Sequence, residues 1–382
     1  MIGLRHRAFD LVAPGKRGAK LRVLGLFLEF GSWCRARAWT YAAQLGLEEG
    51  FRAQGARVST VTTPWLPRLR EFCGGRRFDQ VWVEVVHQDM LDDDTLSWIA
   101  ERAPVRVGLV AESLTCAPEE SLAWPEYRTR KAEVKHRLEF CTHAALVDEV
   151  DAAEIEAEGK VRALWWPGTV PRRFVADEVS IPPGAPAIFA GSIYGIRATM
   201  LQDDALKGLV VVQDSPELGR LPARVFERLH KMTAGWVERR WPSQAAIVVY
   251  LVLLRRLRRR MFRGWLQSLR RGGAVVNLPH LVRSYPGRVV EAMAVGRPVI
   301  AWDVPDRPRN RALFEDGQEI LLYRGTDPRA LADVIRRLHR EPGLGPRIAE
   351  RALDTVRRAH ITEHRVRQAF VWIETGEAPD FA

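Results

Sequence analysis

The sequence predicts an α/β protein of two domains, each built on a parallel, doubly wound sheet. Three observations lead there. A chain of 382 residues is too long for one ordinary domain and suits two, each with its own core. Short apolar strands alternate with helical stretches in both halves, the pattern of parallel sheets that bind ligands beyond the strands' C-terminal ends. A stretch rich in Pro and Gly, from Pro167-Gly-Thr-Val-Pro171 to Ile181-Pro-Pro-Gly-Ala-Pro186, divides the halves.

Residues 1–20 are basic with no long apolar core, and read as a loose arm and not a signal peptide. The first domain covers residues 21–170. Leu21 to Phe27 is a buried strand, Phe30-Gly-Ser-Trp33 a turn, Ala36 to Gln54 a helix and Arg57 to Thr62 the next strand. Strands follow at Gln80 to Val86 and Val105 to Val110, with a helix from Asp92 to Arg102 between them. The acidic opening Asp92-Asp-Asp94 suits that helix's N-terminal dipole. A charged helix, Glu126 to Phe140, leads to the strand His143 to Val147.

Residues 171–186 are the predicted linker, and residues 187–360 the second domain. Its strands are Ala187 to Ala190, Leu209 to Val212, Ala274 to Leu278, Pro298 to Trp302 and Ile320 to Tyr323. One final helix is predicted from about Pro346 to Glu374, with residues 361–382 as its crossing part and tail.

The net charge of +11 and a pI near 9.9 favour anionic partners, although much of the excess is arginine. Cys34, Cys73, Cys116 and Cys141 are widely spaced, without a Cys-x-x-Cys pair. That spacing argues against a zinc or disulfide framework and fits a reducing cytosol. No apolar run reaches the ~18 residues of a spanning helix. No Asp-x-Asp metal motif lies in a suitable loop, so no metal and no cofactor are expected.

The stretch from Tyr285 to Ile300 concentrates the chemistry. Pro286 and Gly287 break the chain, a short apolar helix follows, and Gly296 with Pro298 ends it before a buried strand. Gly287 permits close approach of a ligand, and the amides of Arg288, Val289 and Val290 offer an anion site. Glu291 is expected in the first turn beside it. Amides for phosphate with a carboxylate for sugar hydroxyls would suit a nucleotide sugar. Any αβ junction of a parallel sheet has the same local pattern.

These residues, Glu291-Ala-Met-Ala-Val-Gly-Arg-Pro-Val-Ile-Ala-Trp302, resemble the donor-site segment of GT-B glycosyltransferases with a Glu-x7-Glu motif. The likeness continues through Leu313 to Tyr323 and Asp327 to Asp333, to the helix around His360 to Ile373. It implies two Rossmann-like domains facing across a cleft, the last helix crossing back to the first. It also implies metal-independent, retaining sugar transfer from a nucleotide-diphosphate donor to a hydroxyl of a glycan, lipid-linked or small-molecule acceptor. The motif's first Glu is replaced by Arg283, which leaves inversion open.

The resemblance also nominates residues elsewhere. After the first strand of domain two, Gly191-Ser192 leads to Arg197, a candidate for the donor diphosphate. Arg288 is a second candidate cation, and Arg283 would suit a carboxylated sugar or acceptor. In domain one, Gly31 and Ser32 form the cleft loop. Glu112, Glu84 and His87 stand at strand ends, where a base could take the acceptor's proton.

A last segment resists assignment. Residues 245–254 are apolar, and Arg255, Arg256, Arg258, Arg259, Arg260 and Arg263 follow with Phe262, Trp265 and Leu266 interleaved. Residues 245–266 read as a buried helix with an arginine-rich end, as a helix at an anionic membrane surface on the inner face, or, least favoured, as a nucleic-acid contact. Rival functions are an epimerase or phosphorylase on the same fold, or a non-catalytic polyanion- or membrane-binding protein.

Overall fold

The computed structural model describes residues 21–27, 42–86, 91–115, 127–213, 244–280 and 283–381, with residues 228, 231–232, 235–236 and 239. The arm at 1–20, the loop with Gly31 and Ser32, and His87 lie outside the described residues.

Six strands make the first sheet: β1 (Arg22–Phe27), β2 (Arg57–Thr62), β3 (Gln80–Glu84), β4 (Val105–Val110), β5 (His143–Leu146) and β6 (Arg162–Trp165). They lie in the order β2-β1-β3-β4-β5-β6, every pairing parallel. The connecting helices are α1 (Ala42–Ala53), α2 (Leu69–Cys73), α3 (Asp93–Ala100), α4 (Tyr127–Leu138) and α5 (Glu149–Ala157). The Asp92 side chain caps α3, accepting from the Thr95 amide at 2.7 Å.

Sequence reading stopped at β5 and missed α5 and β6. The apolar residues of α5 are mostly alanines among acids, so no clear stripe marks it. The four-residue β6 is specified by pairing with β5 more than by its own propensity.

The second sheet contains β7 (Ala187–Phe189), β8 (Val210–Val212), β9 (Ala274–Asn277), β10 (Val299–Trp302) and β11 (Leu321–Tyr323). Its order is β11-β10-β9-β7-β8, again parallel. The chain leaves β7 toward β8 on one side and returns to β9 on the other. This reversal opens a crevice at the C-terminal ends of β7 and β9, the usual ligand position in such sheets. The helices of this half are α6 (Ile196–Gln202), α7 (Gln244–Leu269), α8 (Gly287–Ala294), α9 (Pro308–Ala312), α10 (Pro328–Arg340), α11 (Leu344–Ala359) and α12 (Thr362–Thr375).

The single final helix of the sequence reading is in fact two. Val170 donates its amide to the His360 carbonyl at 3.1 Å and accepts from the Thr362 amide at 3.0 Å. This short parallel bridge between Val170 and Ile361 draws the chain out of helical geometry between α11 and α12. α12 then crosses to the first domain and lies on α1. Gly46 and Gly50 of α1 let the backbones close in: a Cβ on Gly50 would stand 2.5 Å from Val366 Cγ2. Phe370 stacks on Phe51 with centroids 5.9 Å apart, and Trp82 packs against both. Beyond α12 the chain returns to the first domain, where Phe381 lies 6.0 Å from Trp165.

The C-terminal part of α7 matches the reading of this segment as a buried helix with an arginine-rich end. Met261, Phe262, Leu266 and Leu269 recur at helical spacing and are all buried. Phe262 meets Phe174 edge-on at 4.7 Å. Phe262 is therefore a core residue, Trp265 packs partly buried against the core, and Arg259 reaches across to Glu49 of α1 at 3.8 Å. Among the described residues no helix is long and apolar enough to cross a membrane.

Candidate functional site

The crevice between β7 and β9 gathers the polar residues of the second domain. α8 begins at Gly287 with Pro286 as its N-cap, so no side chain caps its first amides. The Val289 amide already donates to the Pro286 carbonyl at 2.9 Å, which removes it from the predicted anion site. The side chains of Val289 and Val290 are core residues.

Glu291 falls at the fifth residue of α8, one turn later than expected. Helical side chains lean toward the N-terminus, and the Glu291 carboxylate accordingly lies back over the helix start. A Cβ on Gly287 would stand 3.1 Å from Glu291 Oε1. Glycine at that position keeps the space above the first turn open. The second oxygen, Oε2, accepts a hydrogen bond of 2.7 Å from Trp265 Nε1 of α7. Burial pushes the Glu291 carboxyl up to about 7, while the indole bond and the nearby Arg288 pull the other way.

Arg288 is buried and turned toward β7. Its Nη1 donates to the Ala190 carbonyl at 3.0 Å, and its guanidinium sits 5.5 Å from the Phe189 ring centroid. The guanidinium fills the space a side chain at Gly191 would need, which accounts for that glycine. Burial and the neighbouring Arg197 bring Arg288 down to about 9, so it stays charged at neutral pH.

Arg197, the other candidate for the diphosphate, is buried, with Nε donating to the Pro279 carbonyl at 2.8 Å and Nη1 to the Ser192 carbonyl at 3.0 Å. It braces the Gly191–Ser192 loop against the loop after β9. Its guanidinium lies 5.6 Å from the Phe189 centroid and 4.7 Å from that of Tyr194. His280, in the same cluster, is held neutral by burial and by the two arginines.

Of the first-domain candidates, Glu84 and Glu112 are among the described residues. Glu84 is buried at the C-terminal end of β3. The Glu112 carboxylate pairs with Arg130 Nη1 at 2.5 Å, and Arg130 in turn lies over the Tyr127 ring. A base must give up such a partner to receive a proton, so Glu112 is poorly placed for that role. Arg283 is half-buried between the domains, its amide donating to Ser113 Oγ at 2.7 Å. Among the described residues no group of three His, Cys, Asp or Glu is placed to hold a metal ion.

Three features escaped sequence reasoning. One is the indole of Trp265 on the Glu291 carboxylate. Asn277, fully buried at the end of β9, has neither side-chain polar atom in a hydrogen bond. By strand alternation it shares a face with Val275, the side on which α8 packs. The third is a buried network between the domains, where Asp148 holds Arg307 and Ser113, and Glu149 accepts from the Arg309 and Asn310 amides. An Asp before a helix signals a cap, and Asp148 does cap α5, but nothing local signals a partner 159 positions away.

Comparison with known proteins agrees with this architecture. A family described as glycosyl transferase-like matches residues 218–370. Comparison with curated proteins finds no match. Among solved structures, Anabaena HepE in complex with UDP-glucose is similar at 12% identity and a TM-score of 0.53, covering 93% of this chain and 100% of that one. The sucrose-phosphate synthase of Thermosynechococcus elongatus is similar at 12% identity and a TM-score of 0.54, covering 93% and 98%. An alpha-glucosyltransferase in complex with UDP and a 13-mer DNA containing an HMU base is similar at 11% identity and a TM-score of 0.57, covering 93% and 100%. The chain has the two-domain GT-B fold of these structures.

Proposed function

We propose that this chain is a glycosyltransferase that takes a sugar from a nucleoside-diphosphate donor bound in the β7–β9 crevice and passes it to an acceptor hydroxyl. The observation that carries the reading is the Glu291 carboxylate lying over the glycine start of α8, with Arg288 beside it. A carboxylate accepts two vicinal ribose hydroxyls, and a helix N-terminus with a guanidinium nearby suits the diphosphate. Similar structures hold UDP or UDP-glucose, which makes a uridine nucleotide the first to try.

In this reading Arg288 and the dipole of α8 stabilise the leaving diphosphate without a metal. Arg197 contributes charge at longer range and fixes the loop. Retention is the favoured outcome on the resemblance to the Glu-x7-Glu enzymes, with the Glu112 carboxylate engaged by Arg130 and Glu84 buried, and His87 is the base to test if the reaction inverts. The leaving phosphate then receives the acceptor proton.

A thermal-shift series with UDP, GDP and dTDP at moderate salt tests the proposal. A rise specific to one nucleotide supports it. No rise with any of them, together with salt-sensitive binding of polyanions, would replace it with a non-catalytic binding role.

A further inference from the structure

We propose that Trp265 is a positioning residue for donor binding: its indole N–H orients the Glu291 carboxylate that grips the ribose. This rests on the donor-site reading of Glu291. The geometry is direct. Trp265 Nε1 donates to Glu291 Oε2 at 2.7 Å, and Oε1 is left on the side of Gly287, over the helix start. A hydrogen bond to one oxygen fixes the carboxylate plane and so fixes where the other oxygen points.

The indole is itself held by the fold. α7 is anchored on either side of Trp265 by Phe262 and Leu266, both in the core, and by the buried Leu269 near its end. Arg297, directly after Gly296, clamps that end by donating Nε and Nη2 to the Arg270 carbonyl at 3.0 and 2.5 Å. Trp265 is itself only partly buried where it packs against that core.

The consequence is a pH-dependent grip. Burial disfavours the Glu291 anion and places its titration near neutrality, and the indole bond opposes that burial. The facing groups leave little else to set it. Arg288 on the same helix is the charged neighbour, α7 presents Trp265, and β9 beneath presents Val275 and Asn277, which do not titrate. His280 beyond Arg288 stays neutral. Ribose hydroxyls bind the anion better than the acid, so removing the indole donor shifts the whole binding curve toward higher pH.

The test is calorimetric titration of the full chain with UDP, GDP and dTDP from pH 6 to 9, on wild type, Trp265→Phe and Glu291→Gln. Wild-type affinity for the preferred nucleotide should rise with pH through about 7. Trp265→Phe should bind about tenfold more weakly at pH 7 and recover most of the difference by pH 9, while Glu291→Gln should be weak and flat. In ¹⁵N-tryptophan-labelled wild type, one indole resonance should follow the same midpoint and cease to do so in Glu291→Gln. That measurement decides the case even where Trp265→Phe does not fold. Superimposable wild-type and Trp265→Phe curves, or no indole resonance that titrates with binding, would overturn the positioning role while leaving the donor site standing. Absence of nucleotide binding by wild type at every pH would overturn both.

Discussion

Arg307 grips Asp148 across the domain boundary with two parallel bonds, Nε to Oδ1 at 2.7 Å and Nη2 to Oδ2 at 3.0 Å, and both side chains are buried. Asp148 also accepts from Ser113 Oγ at 2.7 Å, and Ser113 in turn accepts the Arg283 amide. Removing one partner of such a pair strands a buried charge. Arg307→Met or Asp148→Asn should each cost about 3–5 kcal/mol, whereas the double variant should cost clearly less than their sum. Urea denaturation of the four proteins measures this. Additive losses would show that the pair does not couple the domains.

Gly50 faces Val366 where α1 and α12 cross. Alanine there overpacks the crossing by about 1–3 kcal/mol, offset by about 1 kcal/mol of helix propensity. Gly50→Ala should therefore lower stability modestly. Combined with Val366→Ala it should do less harm than Val366→Ala does alone. Thermal denaturation of the three variants checks the relation.

Glu291 should carry a stability cost for its function. The unfolded chain releases this proton near the ordinary value of 4.5, the folded chain near 7. Between those pH values the native state binds more protons than the unfolded one, so stability falls as pH rises across the window, and the cost is complete above it. Glu291→Gln, which can still accept from Trp265, should be more stable than wild type at pH 8 by on the order of 2 kcal/mol. The two should converge near pH 4. Denaturation at both pH values reads the effect.

Arg288 and Arg197 should separate by ligand. Arg288→Ala should weaken a nucleoside diphosphate by on the order of tenfold while sparing the matching nucleoside, and Lys should rescue only partly, because an ammonium lacks the planar fork. Arg197→Ala should reduce binding of both, since Arg197 ties the Ser192 and Pro279 carbonyls and thereby shapes the crevice. Calorimetry with both ligands distinguishes the two roles.

The sequence by itself determined the two parallel sheets and the place of the loop, helix and strand from Tyr285 to Ile300. Apolar periodicity and the Pro and Gly breaks are properties of the local backbone, and they need no distant partner to be read. Gly287 and Glu291 were legible for the same reason, four residues apart on one helix. Tertiary structure decided the rest. The sequence shows Trp265 among arginines, but only packing of α7 sets its indole on a carboxylate 26 positions on. Arg197 carries the same charge whether it faces the cleft or the protein, and only the carbonyls of Ser192 and Pro279 turn it inward. Val170 decides the break at His360–Ile361, and Arg307 finds Asp148 only once the domains meet. Periodicity states which face of an element is buried. Which polar atom meets which depends on contacts between segments far apart in the chain, and these form only in the folded molecule.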